Sequence, residues 1–270
     1  MIIIFDLDGT LINTISDLGQ ACNHALAACG FPTHKIEDYP RLVGNGINKL
    51  IERALPEEHR QEKTVLQVRE YFVPYYDEHN CDLTHPYEGI PELLHALKAA
   101  GHQLAVASNK YQAATEKIVA QLFPGIFDIV LGERENVARK PDPQIVWDIV
   151  GSLEDGASAY SLEDAPEALQ DAALEIGRSP GDGRSLAKRA VEARGDQARR
   201  RSGAEAYSLE GDVLYVGDSL VDANTARAAG CTLVLCTWGF EAAEKLAAFE
   251  PNYLIEKPEE ILEIVHSFEK

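Results

Sequence analysis

The chain opens MIIIFDLDGT: an apolar run ending at Phe5 leads straight into Asp6, Leu7, Asp8, Gly9 and Thr10. Two carboxylates two residues apart, with no lysine or arginine beside them, repel each other and resist desolvation. A fold gains nothing from that arrangement alone, so a bound group must offset its cost. The two acids point to different sides of a turn and can hold different jobs. Asp6 can attack phosphorus and form an aspartyl-phosphate. Asp8 can protonate the leaving oxygen and later draw a proton from water. Gly9 lets the backbone approach a phosphoryl oxygen closely, and Thr10 is a phosphate contact beside it. The competing reading is a pair of turn or helix-capping carboxylates.

Three further stations carry suitable chemistry. ASNK supplies Ser108 and Asn109, a hydroxyl and backbone N–H groups for phosphate oxygens. ARKPDP supplies Lys140, expected to begin a helix behind Pro141 and to offset charge on the phosphoryl group and on Asp6. VGDSLVD supplies Asp218 and Asp222. Gathering these acids with Asp6 needs a hard dication, and oxygen-only ligation without histidine or cysteine favours Mg²⁺. Taken singly, each station has an ordinary alternative: a surface turn for Ser108, a solvated side chain for Lys140, a helix cap for Asp222. Their joint position after strands is the stronger signal.

That position follows from the elements. Met1–Phe5 reads as a fully buried strand. TISDLGQACNHALAACG, GINKLIERAL and KTVLQVREYFVPYYDEH read as helices, with no convincing strand before residue 85. From Pro86 helix and strand alternate: a helix over 91–100, strand HQLAVAS, a helix over 112–122, strand FDIVLG, and a helix after Pro143. DVLYVGD, CTLVLC and NYLI follow as strands, with VDANTARAAG and PEEILEIVHSFEK as helices. The pattern predicts an α/β fold, a doubly wound parallel sheet made by residues 1–12 and 85–270, with an all-helical unit over 13–84. All strand C-termini of such a sheet lie on one rim, where ligands bind.

Residues 151–210 interrupt the alternation. The stretch holds no Phe, Trp or Cys, and AYSLE occurs twice, at 159–163 and 206–210. It reads as an insertion with duplicated ends; chance recurrence in a biased stretch is the alternative. Joining a helix to the next strand, it belongs at the N-terminal rim, away from the crevice.

A net charge of -19 argues against nucleic-acid binding and against docking on an anionic membrane. No apolar run approaches the roughly 20 residues that span a bilayer. The five cysteines form no CxxC pair, which predicts reduced, structural thiols in a cytoplasmic protein.

With these stations quoted, the sequence resembles the haloacid dehalogenase-like superfamily: FDLDGT, ASN, KP and GDSLVD are similar to its four motifs. The resemblance covers 1–150 and 211–270. It implies a Rossmann-like core with a small cap, Asp6 as nucleophile and Asp8 as acid/base. It also implies Ser108 and Lys140 on phosphate, and Mg²⁺ held by Asp6, the Asp8 main-chain carbonyl, and Asp218, with Asp222 supporting. LVGNGINKLIERALP, YYDEH followed by PYEGI, and TWGF are similar to phosphoglycolate phosphatases. That likeness makes Arg41, Asn45 and Lys49 candidates to meet a substrate carboxylate, on a loop shaped by Gly44 and Gly46. The implied partner is a small phosphorylated metabolite, 2-phosphoglycolate first. Other phosphotransferase activities (sugar-phosphate phosphatase, pyrophosphatase, phosphomutase) and a non-catalytic binding module are the alternatives.

Overall fold

The computed structural model describes residues 1–44, 46–154 and 209–268. In chain order, β1 (Ile2–Phe5) is followed by β2 (Ile12–Asn13) and the helices α1 (Ile15–Ala28), α2 (Ile47–Ala54) and α3 (Glu62–His79). Next come β3 (His85–Pro86), α4 (Ile90–Ala99), β4 (Gln103–Tyr111), α5 (Gln112–Leu122), β5 (Ile129–Glu133) and α6 (Gln144–Glu154). The chain resumes with β6 (Val213–Gly217), α7 (Leu220–Ala229), β7 (Thr232–Cys236), α8 (Ala243–Ala247), β8 (Tyr253–Ile255) and α9 (Glu260–Phe268).

Six strands form one parallel sheet in the order β5-β4-β1-β6-β7-β8. The apolar strands are buried on both faces, as parallel sheets under helices must be. In β1, Ile3 and Phe5 join a core with Leu93, Ile118 and Ile261, so α4, α5 and α9 cover that face. Ile4 points the other way, into a core with Ile145, Ala223 and Leu246 of α6, α7 and α8. The sheet is therefore doubly wound, as the alternation of patterns predicted. Local chemistry sets the helix ends. Pro91 opens α4, and Gly230 ends α7 in the left-handed conformation that glycine adopts without a Cβ penalty.

The α1–α3 helices enclose a third core, centred on Leu26, Ile51, Phe72 and Tyr76. Ala114 of α5 is buried in it, and Tyr111 and Phe240 pack against it, so this helical unit rests on the C-terminal rim of the sheet. The chain enters and leaves the unit side by side. Ile12 and Asn13 pair antiparallel with Pro86 and His85, a ribbon the sequence reading missed because two-residue strands carry no period.

Two boundaries differ from expectation. Residues 151–154 are the last turn of α6 rather than the start of an insertion. At the other end Leu209 is buried in the core, its N–H donating to the Gly230 carbonyl. Residues 155–208, with the first AYSLE and the first three residues of the second, lie outside the described residues. Among the described residues no helix is long and apolar enough to cross a membrane.

Candidate active site

The parallel register brings the strand ends level: Phe5 pairs with Val106 on one side and Val216 on the other. One residue further, the Asp6 N–H donates to the Val216 carbonyl at 2.9 Å, which sets Asp6 beside the start of the Gly217–Asp218 turn. Asp222 lies on the first turn of α7, where it caps the helix reciprocally with Ser219. The helix-cap reading of Asp222 is therefore met, and the same residue also joins the cluster of acids. One carboxylate oxygen from each of Asp6, Asp218 and Asp222 lies within 4.8 Å of the others, and all three residues are buried. Lys140 is buried among them and spends its ammonium on Asp6 Oδ1, Asp222 Oδ1 and the Ala107 carbonyl, each at 2.8 Å. It sits in the loop four residues ahead of α6, not at the helix start the sequence suggested.

Three buried carboxylates against one ammonium leave an excess of two negative charges. Burial, then the neighbouring Asp222 charge, pushes Asp6 up to about 7 despite the counteracting Lys140. Burial, with Asp222 and Asp6 close by, pushes Asp218 well above the usual carboxylate range. Hard oxygen donors on a small buried perimeter fit a divalent cation of the Mg²⁺ class, which the charge excess matches.

The acids are socketed by glycines. A Cβ on Gly9, which has φ +92, would lie 2.3 Å from Asp218 Oδ2. A Cβ on Gly239 would lie 2.2 Å from Asp218 Cβ, and one on Gly217 2.3 Å from Asp222 Cβ. Asp218 is then fixed by the Thr10 hydroxyl at 3.2 Å and the Phe240 N–H at 2.7 Å. One expectation changes accordingly: Thr10 is fully buried behind Asp218 and spends its hydroxyl on that acid, not on phosphate. Gly9 donates its N–H to the Ile12 carbonyl and, having no Cβ, leaves room for Asp218.

Ser108, Asp6, Asp8 and Lys140 line a cavity of about 800 Å³ between the rim and the helical unit. Asn109 also borders it, but its amide clamps the Lys140 backbone, donating to the carbonyl at 3.0 Å and accepting from the N–H at 2.9 Å. The side chain thus holds Lys140, while the phosphate contact expected here is one of backbone N–H groups. The Asp8 carboxylate stands apart from the three clustered acids. It lies 2.9 Å from the ammonium of Lys110, a buried residue of the ASNK station to which the sequence reading gives no role of its own. Only the Asp8 main-chain carbonyl is left for the cation role expected of this residue.

The helical unit's candidates divide. Gly44 and Gly46 both have positive φ and border the cavity, so the expected loop is there. Asn45 lies outside the described residues. Arg41 borders the cavity while its guanidinium pairs with Asp38. Lys49 is exposed and pairs with Glu52 at 2.7 Å, so it is removed from the set facing the cavity. Arg53 was missed. It borders the cavity and donates to the Leu42 and Val43 carbonyls at 3.0 and 2.9 Å, bracing the same loop. Its spacing from Leu50 and Ile51 on α2 was the available signal, but helical spacing alone does not tell a bracing arginine from a solvated one.

Comparison with known proteins bears on this geometry. Residues 3–165 match the family model of haloacid dehalogenase-like hydrolases. A phosphoglycolate phosphatase of Aquifex aeolicus is 33% identical over 188 residues, 69% of this chain and 84% of that protein. A phosphoglycolate phosphatase of Haemophilus influenzae (strain 86-028NP) is 28% identical over 97% of this chain and 96% of its own length. A crystal structure provisionally named as a phosphoglycolate phosphatase, from Lactobacillus delbrueckii subsp. bulgaricus, superposes with a TM-score of 0.69. It is 25% identical and the match covers 97% of each chain.

Proposed function

The chain belongs to the haloacid dehalogenase-like hydrolases and is a phosphoric monoester hydrolase, and on that premise we propose that it cleaves a small phosphomonoester by way of Asp6, with 2-phosphoglycolate the first substrate. The observation that carries this reading is the meeting of Asp6, Lys140, Asp218 and Asp222 at one rim, with Asp8 facing the same cavity.

Asp6 Oδ attacks phosphorus as the ester P–O bond breaks, and Asp8 gives its proton to the departing oxygen. Water then attacks phosphorus, Asp8 takes a proton from it, and the acyl-phosphate P–O bond breaks. Phosphate leaves and the Asp6 carboxylate is regenerated. Lys140 neutralises charge on Asp6 and on the phosphoryl oxygens without moving. Ser108, at the rim, presents its hydroxyl to the same oxygens. Asp6, Asp218 and the Asp8 carbonyl hold Mg²⁺, with Asp222 supporting them. When bound, the cation neutralises the crowded acids and polarises the phosphoryl group. The helical unit over 13–84 acts as a cap that excludes water and meets the leaving group, and the enzyme works in the cytoplasm with its cysteines reduced.

The test is phosphate release from a panel of phosphomonoesters with and without Mg²⁺, using Asp6→Asn as control. We expect Mg²⁺-dependent turnover that falls at least about a thousandfold in the variant. Turnover that survives Asp6→Asn would sink the mechanism. The cavity of about 800 Å³ exceeds what a two-carbon ester fills, which favours one second reading: a sugar phosphate as preferred substrate. The same panel separates the two by kcat/KM.

A further inference from the structure

Lys110 is the buried cation the mechanism has not used. It is 7% exposed and lies near the end of β4, inside the break in the β4–β5 register between Ala107 and Tyr111. The break turns the strand end out of its regular pleat. Gly132 of β5 makes this possible, since a Cβ there would come within 2.5 Å of the Lys110 carbonyl. So aimed, the ammonium lies 2.9 Å from Asp8 Oδ1 and donates to the Tyr76 hydroxyl at 2.7 Å. It also sits 4.9 Å from the Tyr76 ring centroid. Tyr76 belongs to α3 and is 1% exposed in the helical unit's core.

The three groups come from three places: the turn after β1, the strand β4 and the helical unit. A lysine stem is long and flexible, and an ammonium held by one partner wanders. Held by two partners, one of them anchored in a packed core, it fixes where the Asp8 carboxylate lies. We propose that Lys110 is a positioning residue, and that Tyr76 on the helical unit acts through it to hold Asp8 against the leaving oxygen. The inference rests on the phosphatase reading above and deepens it: seating of α3 and readiness of the proton donor become one event.

A donor out of place matters most when the departing oxygen is basic and matters little when it leaves readily as an anion. The test therefore compares kcat/KM for phenyl phosphate and p-nitrophenyl phosphate, because this parameter ends at departure of the leaving group and ignores the later hydrolysis. Lys110→Met is expected to lower the phenyl-to-p-nitrophenyl ratio about tenfold relative to wild type. Tyr76→Phe keeps the ring and the core, removes only the hydroxyl, and guards against a mere folding defect; the ratio is expected to fall about threefold. Lys110→Arg should restore part of it.

A loss shared equally by both substrates in the two variants, with the ratio unchanged, would overturn the proposal, since a structural or direct substrate-binding lysine gives that pattern. A wild-type chain that hydrolyses neither these esters nor the wider panel overturns the functional reading and this inference with it. An active wild type with indifferent variants overturns this inference alone.

Discussion

At the scale of single residues, the site is built as much from missing side chains as from present ones. Asp218 is pressed between Gly9 and Gly239, where any Cβ would lie within 2.3 Å of it. Gly239→Ala leaves every acid in place yet must displace the Asp218 carboxylate. It should raise the Mg²⁺ concentration for half-maximal activity by about tenfold, measured by titrating Mg²⁺ at saturating substrate; unchanged half-saturation would contradict the socket. The crowding also has a pH signature. Asp6 is raised from 3.8 to about 7, so between those values the cation-free folded chain holds a proton that the unfolded chain has released. Stability from this group is therefore present at low pH and lost as pH rises towards 7. Protons and Mg²⁺ compete for the same oxygens, so added Mg²⁺ should raise Tm more at about pH 8 than at about pH 5. Melts showing an equal shift at both would count against the acids as the cation site. Asp6 and Asp218 were legible in the sequence because each directly follows a strand and takes its position from backbone register; Ser108 closes the apolar run of β4, and Lys140 was marked by its place in ARKPDP. That Thr10 turns to Asp218 and that the Asn109 amide clamps Lys140 was not legible, because both partners are set by how the chain folds back. Lys110 and Tyr76 are 34 residues apart, and no local pattern joins them.

At the scale of elements, the passage between sheet and helical unit is the piece with most leverage. The paired β2 and β3 carry the chain both ways, and Asp17 on α1 ties them from above. It is 2% exposed and accepts from the Leu83 N–H, the Thr84 N–H and the Thr84 hydroxyl, the last two at 2.8 and 2.7 Å. A buried carboxylate that accepts several hydrogen bonds is costly to remove, because its donors are stranded. Asp17→Ala should lower stability by about 1.5–3 kcal/mol in urea unfolding. Since Asp17 is far in role from the rim acids, Mg²⁺ half-saturation should stay near wild type; a parallel loss of Mg²⁺ binding would mean the tie also shapes the metal site. Most helices and strands were readable because Gly and Pro punctuate them: Gly30 after α1, Pro91 within α4, Gly101 after it. β4 was cut short in the reading at Ser108, since Asn109 and Lys110 fall within the register break and interrupt the apolar run before pairing resumes at Tyr111.

At the scale of the whole molecule, the two described ends that flank residues 155–208 lie on the rim opposite the clustered acids. The α6 helix runs back from the site, so Glu154 ends at the N-terminal rim, and Leu209 re-enters there beside Gly230. Replacing 155–208 by a short Gly/Ser linker should leave kcat within a few-fold, because loop length costs little once the flanks are held; a fall of orders of magnitude in a folded product would place that segment at the site. The cut must spare Leu209, which a boundary drawn from the repeat at 206–210 would have removed. The twinned crossing has a different consequence. A chain that departs at Asn13 and returns at His85, paired as neighbours, has made everything between them a removable head on a hairpin stem. A head of another shape could ride on the same stem only if it still offered Lys110 a partner where the Tyr76 hydroxyl now stands, so substrate choice and proton delivery would have to change together.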